Sequence, residues 1–172
     1  MEEIEVPTEH LHETIQERAE EAAKENESKW IMYVAISTAL VAVLAAMASL
    51  FAGHHSNEAL IEQIKASDQW AYYQAKGIKA EIKAIAVNGN SDTTAVEKYK
   101  KEQEVIKEVA EGREKLSEAH LSKHVTLARS VTLFQIAIAI SAISILTRKK
   151  ILWYTGLLFS LAGIIFFLLG ML

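Results

Sequence analysis

The sequence predicts an all-α integral membrane protein with three transmembrane helices and a long extramembrane antiparallel helical hairpin. Uncharged runs of 24, 18 and 22 residues cover positions 30–53, 130–147 and 151–172. A helix needs about 20 apolar residues to cross a hydrocarbon core of ~30 Å, so each run is long enough for one crossing. One proline and seven glycines in 172 residues leave few places where a helix is interrupted. The lipid bilayer is therefore an expected partner.

The first 29 residues differ from the rest in charge. They hold ten acidic and three basic side chains, whereas residues 129–172 hold four basic and no acidic ones. Thr8 after Pro7 is a favourable helix start, and a thin apolar stripe follows it. We therefore expect an acidic N-terminal helix within residues 1–29, separate from the first transmembrane helix at residues 30–53.

The first transmembrane helix carries a row of small residues. They are spaced 4, 3, 4, 3 and 4 apart, at Ala35, Ala39, Ala42, Ala46, Ser49 and Gly53. Small side chains let membrane helices approach closely, which is the usual basis of their packing. Shorter small-residue rows recur in the other two transmembrane segments, and three such rows exceed what one three-helix monomer needs. We expect the row in the first helix to contact a second copy of the chain.

Residues 54–128 form the predicted hairpin, with its turn at residues 88–93. The turn sequence Asn-Gly-Asn-Ser-Asp-Thr is the strongest turn signal in the chain, and Thr93 or Thr94 then begins the second arm. The first arm has a row at heptad spacing, consisting of Ile64, Ala71, Ile78 and Ile85. Such spacing is typical of a helix–helix contact. We expect this row to face the second arm, with residue 55 opposite about residue 125.

A second face of the first arm contains Trp70, Tyr73 and Gly77. A two-helix hairpin buries one seam of each arm, so this face would remain as an exposed apolar patch. We expect these residues to contact another copy, with the two aromatic side chains as anchors.

The last two transmembrane helices are predicted at residues 129–147 and 151–172. The connection between them is Arg148-Lys149-Lys150. Short loops with excess positive charge lie on the cytoplasmic side of membranes. This rule predicts a cytoplasmic N-terminus and a hairpin on the opposite side, which is the periplasm in a bacterium.

Histidines are clustered near the base of the hairpin. A hairpin centred near Asn90 would bring together the side chains of His54, His55 and His124, with His120 one turn away. An i, i+4 histidine pair that faces two more imidazoles is a candidate site for zinc, nickel or copper. Two alternatives stay open: a protonation-linked switch, and histidines that simply tolerate the half-hydrated membrane surface.

Several function classes lack support in the sequence. The absence of cysteine excludes thiol catalysis and iron–sulfur clusters. No nucleophile–base set, phosphate-binding glycine loop or basic stripe for nucleic acid is present. We therefore expect a protein that is not an enzyme, that requires no cofactor and that binds no nucleic acid.

Several segments resemble the bacterial family catalogued as domain of unknown function 4337. They are VPTEHLHETIQERAE, AGHHSNEALIEQIKASDQWAYYQAKGIKAEI, VTLFQIAIAISAISILTRKK and WYTG. The most specific part is Asp68-Gln69-Trp70-Ala71-Tyr72-Tyr73, and the match is weakest from Val87 to Val96. The resemblance implies a small bacterial membrane protein, and we expect its location to be the inner, cytoplasmic membrane. It implies no activity and no catalytic residues.

Three functions are consistent with these features. The favoured hypothesis is a homo-oligomeric, membrane-anchored coiled-coil scaffold or adaptor that recruits an unidentified protein partner. The alternative is an oligomeric channel lined by Gln135, Ser141 or Ser144. The third is a metal or pH sensor that uses the four histidines at the base of the hairpin.

Overall fold

The computed structural model describes residues 8–85 and 93–172, which form three α-helices. Their bounds are Thr8–Ile85 for α1, Thr93–Thr147 for α2 and Lys150–Met171 for α3. No strand occurs within these two ranges. The predicted all-α class is confirmed.

Helix α1 begins at Thr8, the predicted N-terminal start, and continues without a break to Ile85. The expected boundary between the acidic helix and the first transmembrane segment near residue 29 is therefore absent. The physical reason is that no proline follows Pro7 and that Gly53 and Gly77 are the only glycines in α1, so nothing between the two segments interrupts the helix.

The three apolar segments all lie in helices. Each of α1, α2 and α3 contains a stretch long and apolar enough to cross a membrane, within Lys29–Ile85, Thr94–Thr147 and Lys150–Met171. Between α2 and α3 the chain reverses at Arg148, whose φ of 53° is in the left-handed region. This conformation at Arg148 stops the helix, so α2 ends at Thr147 and α3 begins at Lys150.

The helices divide into two compact units, and each helix contributes to both. The first unit contains the residues up to Ala45 together with Leu133–Ala162, and the second contains Ala46–Thr132 together with Gly163–Leu172.

In the first unit, small residues of α2 and α3 allow close helix packing. A Cβ at Gly156 would lie 2.8 Å from Ser141 Oγ and 3.2 Å from the Ala137 carbonyl oxygen. Trp153 Nε1 donates a hydrogen bond to Ser37 Oγ at 3.1 Å, which joins α3 to α1. The core of this unit therefore combines close backbone approach with large buried side chains, among them Trp30, Val34 and Phe134.

In the second unit, two arms of α1 and α2 run antiparallel and the end of α3 lies beside their base. The Phe51 and Phe167 rings are 6.3 Å apart, and a Cβ at Gly170 would lie 2.7 Å from the Leu127 side chain. Lys123 Nζ donates to the Leu172 carbonyl oxygen at 3.2 Å.

The antiparallel register of the arms differs from the predicted one by about one helical turn. His55 contacts His120, where the sequence predicted a neighbour near residue 125, and Ala52 lies opposite His124. The predicted turn at residues 88–93 lies mostly outside the described ranges, while α2 begins at Thr93 as expected.

Candidate functional site

The two arms of the hairpin contact each other through an alanine face on α1. This face consists of residues exactly seven positions apart: Ala52, Ala59, Ala66, Tyr73 and Ala80. The four alanines are 0–6% exposed. Buried residues of the α2 arm include Ile106, Ala110 and Ser117, and also Leu127, which lies against Gly170 of α3. Because alanine side chains are short, the two helix backbones can approach closely.

Polar bonds cross this contact where the backbones are close. Ser117 Oγ donates to the Ala59 carbonyl oxygen at 2.8 Å, and Gln103 Nε2 donates to the Tyr73 carbonyl oxygen at 3.1 Å. Both acceptors belong to residues of the alanine face. Sequence analysis did not identify Ser117, because the only signal for its role is its position seven residues after Ala110 on α2.

A buried carboxylate lies beside the same contact. Glu62, whose side chain is 9% exposed, accepts hydrogen bonds from Lys65 Nζ and Arg113 Nη1, both at 2.8 Å. The bond from Lys65 and then that from Arg113 hold the pKa of Glu62 below its ordinary value, against the opposing effect of burial. Glu62 is therefore ionised, and its bond to Arg113 joins the arms.

Nearer the tip, an ammonium group joins the arms in a similar way. Lys76 Nζ lies 2.5 Å from Glu102 Oε2 and 5.2–5.4 Å from the ring centroids of Tyr72 and Tyr99. The bonds to Glu102 and then to Tyr72 raise the pKa of Lys76. Tyr72, Lys76 and Glu102 also line an open groove of about 370 Å³, together with Lys101, Val105 and Ile106.

Trp70, Tyr73 and Gly77 belong to the contact within the hairpin. Trp70 Nε1 donates to Glu114 Oε1 of α2 at 2.8 Å, and its ring meets that of Tyr73 edge-on at 5.6 Å. A Cβ at Gly77 would lie 2.7 Å from Gln103 Nε2. The prediction that this face remains exposed is wrong, because the neighbouring alanines bring α2 close enough for these residues to contact it. A contact with another copy through them stays a prediction.

The opposite side of the first arm is the isoleucine face, which is exposed. Its residues follow a 3–4 spacing: Ile61, Ile64, Ala71, Ala75, Ile78, Ile82 and Ile85. The five isoleucines are 43–83% exposed, and Ile64 and Ile78 are 62% and 57% exposed. The prediction that Ile64, Ala71, Ile78 and Ile85 face the second arm is therefore wrong. The chain buries its small residues against α2 and leaves the bulky heptad row uncovered.

The predicted small-residue row of α1 is also uncovered. Every member is exposed, namely Ala35, Ala39, Ala42, Ala46, Ser49 and Gly53, and a Cβ at Gly53 would meet nothing within 4 Å. By contrast, the small residues of the other helices are buried, including Ser130, Ala137, Ser141, Ser144, Gly156, Ser160, Gly163 and Gly170. Packing within the chain thus uses two of the three predicted rows.

The polar residues proposed to line a pore have different surroundings. Ser141 and Ser144 are buried, and Ser144 Oγ donates to the Ser141 carbonyl oxygen at 2.7 Å in its own helix. Gln135 is exposed. Of the three, only this amide is available to a neighbouring molecule.

The structure brings two of the four predicted histidine ligands into direct contact. His55 Nδ1 and His120 Nδ1 are 3.0 Å apart, and the His54 ring centroid lies 5.4 Å from that of His55. His124 is engaged elsewhere, since its Nδ1 bonds the Ala52 carbonyl oxygen at 2.8 Å. Within the ranges that the structure describes, no group of three or more histidine, cysteine, aspartate or glutamate side chains is arranged to hold a metal ion.

The surroundings of His55 favour its neutral form. It lies outside the uncharged segment 30–53, and its side chain is half-buried. Burial lowers the pKa of His55, and the positive charges of His120, His54 and Lys123 lower it further, against the opposing effect of Glu58. A neutral imidazole keeps one nitrogen lone pair free at neutral pH.

Taken together, the fold and these surfaces define an all-α protein with three helices apolar enough to cross a membrane and an antiparallel helical hairpin. The chain belongs to the family described as Domain of unknown function (DUF4337), whose model matches residues 30–172. This match confirms the resemblance noted in the sequence. Neither the curated proteins nor the solved structures gave a match.

Proposed function

We propose that this protein is a homo-oligomeric, membrane-anchored helical scaffold whose copies associate through the isoleucine face of α1. The exposed isoleucine face is the observation that carries the proposal. Full burial of one isoleucine side chain contributes about 1.5–3 kcal/mol, and five isoleucines of this face are exposed in the single chain. Such an exposed apolar surface, interrupted by Asp68 between Ile64 and Ala71, is typical of an interaction site.

The spacing of the face indicates a helical partner. Its positions alternate by three and four residues from Ile61 to Ile85, which is the pattern that packs side chains of one helix between those of another. A second copy supplies such a helix. Copies inserted into one membrane in the same orientation have parallel α1 helices, so the isoleucine face of each copy meets the same face of its neighbour.

Two features of the apolar segments support the same assembly. The uncovered small-residue row of α1, from Ala35 to Gly53, has the same alternation of three and four residues as the isoleucine face, which begins eight residues later at Ile61 on the same helix. The Gln135 side chain exposes its amide group within the uncharged segment 130–147. Polar side chains of this kind commonly form hydrogen bonds between membrane helices.

The proposed setting is the inner membrane of a bacterium. The positive charges of Arg148, Lys149 and Lys150 favour a cytoplasmic connection between α2 and α3. The N-terminus is then cytoplasmic and the hairpin periplasmic. In this arrangement the tip of the hairpin is available to a protein partner.

The test is native mass spectrometry of the full chain in nanodiscs, with metal content recorded in the same run. We expect a defined multimer for the unmodified chain. The double variant Ile64→Lys, Ile78→Lys places charges in the face and is expected to weaken association at least a hundredfold, because each 1.4 kcal/mol is tenfold. The control is Val105→Lys on α2, a residue as exposed as Ile64, at 63% against 62%. A monomeric unmodified chain would contradict the proposal.

Disulfide trapping gives an independent reading of the partner surface. The chain has no cysteine, so a single Ile78→Cys reports only on itself. A parallel pair of α1 helices brings the two positions within disulfide range, with Cα atoms about 4.4–6.8 Å apart. We expect a covalent dimer from Ile78→Cys and none from Val105→Cys.

A channel is the second candidate function, and the exposed Gln135 amide supports it. If copies surround a polar path, the exposed Gln135 amide is in a position to line it. Conductance across a planar bilayer that contains the assembled protein tests this function. Current that disappears in Gln135→Leu, with the multimer mass retained, would favour a channel over a scaffold.

A further inference from the structure

Two imidazole rings face each other across the base of the hairpin. His55 on α1 and His120 on α2 place their Nδ1 atoms 3.0 Å apart and their ring centroids 5.3 Å apart. The centroid distance is close to the nitrogen separation plus one ring radius on each side, so the two nitrogens point at each other. This geometry is that of an N–H···N hydrogen bond in which one ring donates and the other accepts. Among the described residues, no third histidine, cysteine, aspartate or glutamate is grouped with them to hold a metal ion.

A hydrogen bond of this kind tolerates one added proton and not two. In the neutral pair, the donor ring carries its hydrogen on Nδ1 and has a lone pair on Nε2, whereas the acceptor ring has its lone pair on Nδ1. The first added proton can bind the donor's Nε2, which leaves the bond in place. A second proton can bind only the acceptor's Nδ1, so two N–H groups of like charge would then face each other. Double protonation therefore breaks the bond.

The side chains around the pair are mostly positive or protonatable. On α1, the His54 ring centroid lies 5.4 Å from that of His55, and Glu58 is the opposing carboxylate. On α2, Lys123 adds a further positive charge. Burial of the ring and then the positive charges of His120, His54 and Lys123 lower the pKa of His55. Protonation of the pair therefore opposes the contact between the arms.

The third helix adds no titratable side chain to this region. Residues 163–172 of α3, which lie beside the base of the hairpin, contain only apolar residues and glycine. The Leu172 carbonyl oxygen accepts a hydrogen bond from Lys123 Nζ at 3.2 Å. The side-chain charge around the pair is therefore set by the two arms.

We propose that the His55–His120 pair is an acid-sensitive switch that joins α1 to α2 at neutral pH and loosens the base of the hairpin when both rings are protonated. The switch lies within one chain, so it does not depend on the assembly proposed above. In the proposed orientation the pair faces the periplasm and responds to acid on that side of the membrane. Only this placement rests on the proposed setting.

Neighbouring bonds confine the loosening to the base. Ser117 Oγ donates to the Ala59 carbonyl oxygen, and neither group titrates in the range of histidine. His124 Nδ1 bonds the Ala52 carbonyl oxygen. Because a carbonyl oxygen only accepts, this nitrogen carries the hydrogen, and an added proton binds Nε2 and leaves the bond in place. The imidazole pair is therefore the acid-sensitive one of these three contacts.

The expected pH dependence follows from the direction of the pKa shift. The folded-state pKa of His55 lies below its ordinary value of 6.5, so the unfolded chain binds this proton more readily. The pair therefore contributes stability above about pH 6.5, and this contribution is lost as the pH falls from there through the folded value. Glu62 responds only below its ordinary value of 4.5, so its effect begins at a lower pH.

The test is hydrogen–deuterium exchange of the detergent-solubilised full chain between about pH 7.5 and about pH 5, a range that includes the titration of histidine. Exchange rates are corrected for their intrinsic pH dependence. We expect the amides of residues 52–59 and 117–124 to exchange about tenfold faster at the acid end, which corresponds to the loss of one hydrogen bond. Amides around Ile106, in the same hairpin, are expected to keep their rates.

Two variants separate the pair from its neighbours. His55→Gln replaces one ring by an amide that donates or accepts and does not titrate, so the acid-induced change in exchange should disappear. The matched control is His124→Gln, which leaves both rings of the pair in place and should retain the change.

Three exchange results would overturn the proposal. These are rates at the base that do not change with pH in the unmodified chain, a change of the same size in His55→Gln, and loss of the change in His124→Gln. Nitrogen NMR of the unmodified chain decides the matter even where a variant fails to fold. At neutral pH one ring of the pair should carry its hydrogen on Nδ1 and the other on Nε2, and hydrogen on Nε2 in both rings would contradict the bond. Multimer mass is recorded separately, because a monomer that shows the acid-induced change contradicts the scaffold and supports the switch.

Discussion

Two faces of the same helix differ in what they bury. The alanine face of α1 is covered by α2 and carries short side chains, while the isoleucine face is exposed and carries the most apolar residues of the arm. The comparison teaches that hydrophobicity alone does not select the seam a hairpin buries. The arms contact each other through alanines because short side chains allow the two backbones to come close. This close approach permits hydrogen bonds such as the one from Ser117 Oγ to the Ala59 carbonyl oxygen.

The two faces therefore have different sources of stability. Alanine removes little apolar area from water, so the hairpin depends more on close packing and polar bonds between the arms, including Glu62 with Arg113 and Lys76 with Glu102. The isoleucine face has no such bonds among the contacts described, and its apolar area yields free energy only when another molecule covers it.

The largest expected effect is on the isoleucine face, at Asp68. This exposed carboxylate occupies the position of the 3–4 pattern between Ile64 and Ala71, so two copies would bring like charges together. Asp68→Ile is expected to strengthen association by about 3–6 kcal/mol per pair, since each of the two copies buries one more isoleucine at about 1.5–3 kcal/mol. The dissociation constant in nanodiscs measures this, and Asp68→Asn separates the effect of charge from that of apolar area. An unchanged constant in both variants would mean that this face does not meet a second copy.

The same substitution on the two faces should have opposite effects. Ala66 is fully buried and Ala71 is exposed. Ala66→Leu overpacks the contact between the arms and is expected to destabilise the fold by about 1–3 kcal/mol, whereas Ala71→Leu adds apolar area to the isoleucine face and leaves the fold intact. Thermal unfolding followed by circular dichroism in detergent compares them. Equal destabilisation by both variants would remove the distinction between the faces.

A smaller effect is expected from pH, through Glu62 on the side of the buried contact. Its folded-state pKa is lowered, so its ion pairs contribute stability above the ordinary carboxyl pKa, and this contribution is lost as the pH falls through the folded value. The unfolding midpoint should therefore decrease on acidification below about pH 4.5. The Glu62→Gln variant should be less stable at neutral pH, and its unfolding midpoint should decrease less on acidification. Parallel pH curves for the two proteins would contradict this role.

The smallest effects concern two glycines of the arms. A Cβ at Gly112 would meet nothing within 4 Å, whereas one at Gly77 would meet Gln103 Nε2 at 2.7 Å. Gly112→Ala is expected to stabilise the helix by about 0.5–1 kcal/mol. Gly77→Ala should gain less, because the Gln103 side chain must move and its bond to the Tyr73 carbonyl is disturbed. Unfolding midpoints of the two variants, measured side by side, check the order.

Sequence reasoning located the elements well and assigned the faces of the hairpin wrongly. The long uncharged runs and the lack of proline are local properties, so they predicted the all-α class and the starts of α1 and α2 at Thr8 and Thr93. Which face of α1 meets α2 depends on how near two backbones can come, and this is a property of the pair. The isoleucines gave the stronger apolar signal in the sequence, whereas the buried alanines, which repeat at intervals of seven residues, gave a weaker one.

The histidine cluster was predicted in part for a similar reason. The sequence places four histidines near one level of the hairpin, but the register of the arms decides which rings touch. A shift of about one helical turn paired His55 with His120 and directed His124 to the Ala52 carbonyl. No pattern in a single sequence specifies that shift, because a polar stretch such as residues 88–93 is compatible with turns of several lengths.

Because the alanine face repeats every seven residues, the hairpin can change in length by whole repeats without losing this contact. Removing seven residues from each arm deletes two helical turns on both sides and returns every remaining alanine to an equivalent neighbour. Each such step shortens both arms by about 10 Å, at 1.5 Å per residue. Paired insertions or deletions of seven residues therefore change the length of the hairpin by a fixed increment and leave the contact between its two arms unchanged.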